Sequence, residues 1–159
     1  MSGDADLALS LEPNTSNRST AIEYQSAYFV EFVAVGPKQH PFFSAKTRNL
    51  KELVKHDLIV TAPGTHGRDA LEQALFKERL SANIAIETDN SGFTIACARV
   101  GMGLGILAGR LDGVLTRGLA THSLRKQLGR RQIVFMSRRG RRSAAPVCAL
   151  IEEIQAANA

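Results

Sequence analysis

Leu58-Ile59-Val60-Thr61-Ala62-Pro63-Gly64-Thr65-His66-Gly67 sets a short apolar run directly before a loop punctuated by proline and glycine. Behind that loop Ala70, Leu71, Ala74, Leu75 and Leu80 recur on one helical face, so the unit reads strand, glycine-containing loop, helix. The hydroxyls of Thr61 and Thr65 and the backbone freed by Gly64 stand just ahead of a helix N-terminus, whose unpaired N–H groups and positive dipole end attract anions. A small acid fits such a loop. The same residues also make an ordinary strand-to-helix connection with Thr65 as the helix cap, and the pattern leaves both readings open.

The alternation continues in both directions. Downstream, Asn83 to Glu87 alternates with Ile84 and Ile86 on one face. Phe93, Ala96, Cys97 and Val100 then follow at i, i+3, i+4 and i+7 behind the capping candidates Asp89, Asn90 and Ser91. Gly101-Met102-Gly103-Leu104-Gly105 closes that helix and leads into Ile106-Leu107. Residues 108 to 130 have no sharp period and read as mostly loop, with one short strand or turn of helix. Gln132 to Ser137 reads as a strand, and Val147, Leu150, Ile151 and Ile154 stripe a terminal helix with Pro146 in its first turn. Upstream, residues 5 to 11 read as a short buried strand and residues 12 to 20 as a polar loop. Tyr28 to Val35 reads as a strand stopped by Gly36-Pro37, and residues 49 to 56 as a short amphipathic helix capped by Asn49. Strands alternating with helices predict an α/β sheet with parallel pairs and right-handed crossovers, a class that binds ligands at the carboxyl ends of its strands.

Composition narrows the function classes. The chain has 159 residues, with 20 Lys+Arg against 15 Asp+Glu, a net charge of +5; 44% of residues are hydrophobic and 22% charged, which suits one globular domain and excludes disorder and coiled coil. The longest apolar stretches, such as Phe32 to Val35 and Ile133 to Met136, fall far short of the roughly 20 residues needed to cross a bilayer. Met1-Ser2-Gly3-Asp4-Ala5-Asp6 has neither a basic n-region nor an apolar h-region, so the expected location is the cytoplasm. Cys97 and Cys148 fall in apolar helical patterns and read as reduced core thiols. His40, His56, His66 and His122 are scattered without ligand spacing, so no metal is expected. Gly101-x-Gly103-x-Gly105 follows a helix and precedes a strand, the reverse of the order a dinucleotide loop requires. No nucleophile elbow and no P-loop are present, and Asp4 and Asp6 read as solvated caps, so the chain reads as a non-enzyme without a cofactor. Arg130-Arg131 and Arg138-Arg139-Gly140-Arg141-Arg142 bracket the last strand. Without aromatic interleaving or a helix-turn-helix pattern they read as a solvated face or the rim of an anion site rather than a nucleic-acid surface.

The order of segments resembles the C-terminal effector-binding, or substrate-binding, domain of LysR-type transcriptional regulators. Gly3-Asp4-Ala5-Asp6-Leu7-Ala8-Leu9 is similar to the family's "G-x-x-D-L-A-I" strand, His40-Pro41-Phe42 to its "H-P-L" crossover, and Leu50-Lys51-Glu52-Leu53 to "L-e-d-L". Leu58-Ile59 resembles the "p-L-I" strand, Val100-Gly101-Met102-Gly103-Leu104-Gly105-Ile106 the "V-a-a-G-l-G-I-a" signature, and Arg142-Ser143-Ala144-Ala145-Pro146 the start of the terminal helix. After Ile106 the chain reads Leu-Ala-Gly-Arg where the family often has Leu-Pro, so the second crossover is expected to differ.

The resemblance implies a periplasmic-binding-protein-like (type 2) α/β fold with one complete subdomain and part of a second. Residues 1–39 would be the remnant of subdomain I with its crossover, 40–120 subdomain II, and 121–159 the return crossover with the last strand and helix of subdomain I. A cleft between the subdomains would hold a small anionic metabolite, contacted by Ser10 and Leu11 after the first strand and by Thr61, Ala62, Pro63, Gly64 and Thr65 after the "L-I" strand. Starting at the "D-L-A-I" strand, the chain reads as truncated at its N-terminus. It would lack the family's DNA-reading helix-turn-helix, and sequence-specific DNA binding by this chain alone is not expected. Its partners would be the effector and a second copy of itself. Asp6 to Leu9 and Ile133 to Met136 would have unpaired strand edges. A solute-binding protein or enzyme on the same fold, and a small basic nucleic-acid binder, are the alternatives.

Overall fold

The computed structural model describes residues 5–13, 18–111, 113–140 and 143–158. The readings of Gly3, Asp4, residues 14–17, Arg141 and Arg142 lie outside the described residues. The chain divides into two compact units, one of residues 1–30 with 131–159 and one of Glu31–Arg130.

The second unit is built from the deciding stretch outward. Strand β3 (Leu58–Val60) is buried at all three positions and lies parallel to both β4 (Ile84–Glu87) and β5 (Leu104–Gly109). A strand flanked by parallel neighbours and covered on both faces needs a continuous apolar run, and Leu-Ile-Val is one. Strand β2 (Ile22–Gly36) enters this unit at Glu31, where its last residues pair antiparallel with β5 on one edge and β6 (Ala120–Ser123) on the other. Helices α1 (Pro41–Ser44), α2 (Leu50–Leu53), α3 (His66–Glu78), α4 (Ser91–Arg99) and α5 (Arg125–Leu128) complete it. One apolar cluster gathers Phe32, Phe42, Leu50, Leu53, Leu58, Leu71, Leu104, Leu124 and Leu128; a second gathers Val33, Val35, Ile59, Ile95, Cys97, Ala98 and Leu107.

The glycine run after α4 is a packing device. Gly103 has φ +154°, and a Cβ there would lie 2.6 Å from the Asp57 carbonyl oxygen, which accepts the Leu104 N–H at 2.8 Å. Only glycine allows this approach.

In the first unit β1 (Ala8–Leu11) pairs antiparallel with β7 (Arg130–Arg138), β7 lies beside β2, and α6 (Ala145–Ala156) ends the chain. Several expectations are corrected here. Ile133 to Met136 is not an edge, because β7 has β1 on one side and β2 on the other. The first strand is not buried, since Ala8, Leu9 and Ser10 are exposed and Leu11 is half-buried; Ser10 and Leu11 are its last two residues, opposite Val134 and Ile133. The α6 stripe is only half-buried at Val147, Ile151 and Ile154, and Leu150 is 51% exposed, since three strands offer the helix a small platform. Cys148 is exposed on that helix rather than a core thiol, whereas Cys97 is buried.

Residues 108 to 130 are more ordered than their composition suggests. They hold a 3₁₀ turn at Val114–Thr116, strand β6 and helix α5. Ala-Thr-His-Ser carries no strand signal of its own and is held by its ladder to Val33–Gly36. Strand β2 likewise begins six residues before Tyr28, through the mixed run Ile-Glu-Tyr-Gln-Ser-Ala that β7 pairs.

Candidate functional site

Thr61 to Thr65 leave the carboxyl end of β3 and deliver the chain to the N-terminus of α3. Gly64 makes the turn at φ +81° with open space where a Cβ would stand, and Pro63 and Gly64 are exposed. Thr65 is the N-cap of α3: its Oγ1 accepts the Arg68 N–H at 3.3 Å and lies 2.9 Å from the Ala62 carbonyl and 2.8 Å from Thr61 Oγ1. A carbonyl only accepts, so the single Thr65 proton goes to Ala62 and Thr61 donates to Thr65. Thr65 is thereby used within the loop. Thr61 keeps its lone pairs, and the His66 and Gly67 N–H groups in the first turn precede any intrahelical acceptor.

Sequence reasoning missed Arg68. At i−3 of Leu71 and i−7 of Leu75 it sits on the inward stripe of α3, and its side chain is only 10% exposed. Its Nε donates to Glu72 Oε1 at 2.6 Å; its Nη1 donates to Glu87 Oε1 at 2.5 Å and reaches the Thr61 carbonyl at 3.4 Å. The Glu87 hydrogen bond, opposed by burial and aided by Glu72, raises the Arg68 pKa above its usual value. One guanidinium therefore ties the start of the loop to the end of β4, with its single positive charge shared by two carboxylates. The sequence signal was a charged residue in phase with a buried leucine stripe, with Glu72 at i+4.

A second strand-to-helix loop comes from β4, where Thr88 N–H donates to the Val60 carbonyl at 3.0 Å and Asn90 caps α4 by accepting the Phe93 N–H at 2.9 Å. The parallel pairing of β3 and β4 brings these two loops to the same end of the sheet. Of the residues expected at a site, Thr61, Ala62, Pro63, Gly64 and Thr65 form one continuous loop of the second unit. Ser10 and Leu11 lie on β1 of the first unit.

Three of the four histidines, far apart in sequence, meet around α1. His40 and His56 stack edge to face with centroids 4.7 Å apart, and the Phe42 ring lies 6.3 Å from His56 and 5.7 Å from His122. Among the described residues no group of three or more His, Cys, Asp or Glu is arranged to hold a metal, and no helix is long and apolar enough to cross a membrane.

Strand ends feeding helix N-termini across a mixed sheet define an α/β module, which a family match and a shared fold place in the periplasmic-binding-protein-like (type 2) class. The family profile described as the LysR substrate binding domain matches residues 1–159, and the chain belongs to that family. Solved structures share the fold. The cofactor-binding domain of the Cbl transcriptional regulator aligns over 97% of this chain and 67% of its own, with 21% identity and a TM-score of 0.78. The regulatory domain of CcmR from Synechocystis, in complex with 2-PG, aligns over 98% and 74% with 15% identity and a TM-score of 0.70. The effector binding domain of QuiR, in complex with shikimate, aligns over 96% and 71% with 14% identity and a TM-score of 0.71. No curated protein matches the chain.

Proposed function

We propose that this chain is the effector-sensing part of a LysR-type transcriptional regulator, a non-enzymatic cytoplasmic module that binds a small anionic metabolite and transmits its occupancy through a change in conformation. The observation that carries this reading is the Thr61–Thr65 loop, which ends β3 at the N-terminus of α3 in a chain of that family. The first-turn N–H groups receive an oxygen of the ligand together with the Thr61 hydroxyl, whose proton turns from Thr65 to the ligand, while Arg68 and Thr65 hold the loop in shape. Because Arg68 is already matched by Glu72 and Glu87, the attraction for an anion comes from the helix terminus rather than from a free cation. The family resemblance assigns a ligand-contact role to Ser10 and Leu11 as well. The ligands of CcmR and QuiR, 2-PG and shikimate, give the starting point for a panel of small carboxylates and phosphates. The chain is expected to associate with further copies of itself.

Isothermal titration against that panel tests the site. Thr61→Val should weaken binding by about 1 to 3 kcal/mol through loss of one buried hydrogen-bond partner. Thr65→Val should weaken it as well and also lower unfolding stability by about 1 kcal/mol, because the cap of α3 goes with it. Unchanged affinity in both variants would remove the loop from the binding site.

A further inference from the structure

We propose that His40, His56 and His122 form a pH-sensitive latch that holds the crossover between β2 and α2, with α1 inside it, onto the second unit at neutral pH and releases it on acidification. The geometry at His40 requires a neutral ring. His40 is the N-cap of α1, and its Nδ1 accepts the Phe42 N–H at 3.3 Å; a protonated imidazole has no lone pair there and cannot cap. His56 has its Nε2 buried without a hydrogen-bond partner, 3.9 Å from Glu52 Oε1, and its ring lies against that of His40. His122 Nε2 lies 2.9 Å from the Arg48 carbonyl, which ties β6 to the end of the same crossover.

The charged neighbours of His40 and His122 do not offset a gain of protons. Glu52 of α2 is the carboxylate beside His56, and it already binds Lys55 at 2.6 Å. Arg48, just ahead of α2, faces His122 with a positive charge. Helix α1 (Pro-Phe-Phe-Ser) brings no charged residue, and β6 (Ala-Thr-His-Ser) brings only His122 itself. Burial, with His56 second, pushes the His40 pKa below the usual 6.5. Burial also lowers that of His122, where the Arg48 carbonyl hydrogen bond opposes the shift and the Arg48 charge adds to it. Both groups therefore bind protons more weakly folded than unfolded. Their stabilisation is complete above the unfolded value near 6.5 and is lost as pH falls through that value toward the folded ones.

Native-state amide exchange of the full chain between pH 7.0 and 5.5, corrected for intrinsic rates, reads the latch directly. The Phe42 and Phe43 amides should open more often on acidification relative to those of α3, by up to about tenfold per pH unit for each proton taken up. The double variant His40→Asn/His122→Gln keeps a capping acceptor on α1 and a donor for the Arg48 carbonyl, neither of which titrates, and should lose most of that acceleration. The same acceleration in the double variant as in the native chain would overturn the proposal. So would imidazole NMR signals of His40 and His122 in the native chain that titrate at or above 6.5, and that measurement decides the matter even if the variant does not fold.

Discussion

Phe42→Ala should cost the second unit about 3 to 5 kcal/mol, the usual range for deleting a fully buried aromatic ring. Phe42 is 0% exposed although it sits on a helix of four residues, and its ring packs edge to face with Phe43, His56 and His122. Such a helix has almost no stability of its own, so the ring is what fastens α1 to the apolar cluster. Urea denaturation of the native and variant chains measures the difference. A loss below about 1 kcal/mol would be that of a surface substitution and would mean that the ring is not held in the core.

Hydrogen exchange should also separate the two units. Among the described residues both apolar clusters draw every member from residues 32 to 128, while the first unit supplies only Ile22, Val134 and Phe135 to the buried set. Leu9, Phe29 and Leu150, all in the first unit, are 41%, 51% and 51% exposed. At about 25 cal/mol per Å² of buried apolar surface, a unit with so little burial has a much lower opening free energy, and each 1.4 kcal/mol of deficit is a tenfold faster exchange. Amides of β1, β7 and α6 should therefore exchange well before those of β3, β4 and β5. The sample's oligomeric state must be fixed during the measurement, because association would cover the same surface. Equal strong protection in a monomer would show that the first unit has a complete core of its own.

What could be read before the structure was whatever a few neighbouring residues decide. The β3-loop-α3 and β4-α4 units appear where the apolar spacing puts them, and Asn49, Thr65 and Asn90 cap the helices that follow them, since a cap is chosen within three residues. What escaped depends on distant partners. Strand β6 exists because β2 offers it an edge, and the histidine group exists because α1, the segment after α2 and β6 converge on Phe42. For the candidate site, the loop residues were legible from their hydroxyls and glycine, whereas Arg68 was not. A charge on a buried stripe looks like an error until Glu87, 19 residues away in sequence, is seen to meet it.

The unequal surroundings of the two cysteines have a practical use. Cys97 is enclosed within the second cluster and Cys148 stands exposed on α6. A maleimide fluorophore added to the native chain will attach at Cys148 alone while the fold holds, and Cys97 will react only when that core opens. One reagent thus places a dye on the first unit without any engineered substitution, and its slow second addition clocks the opening of the other unit.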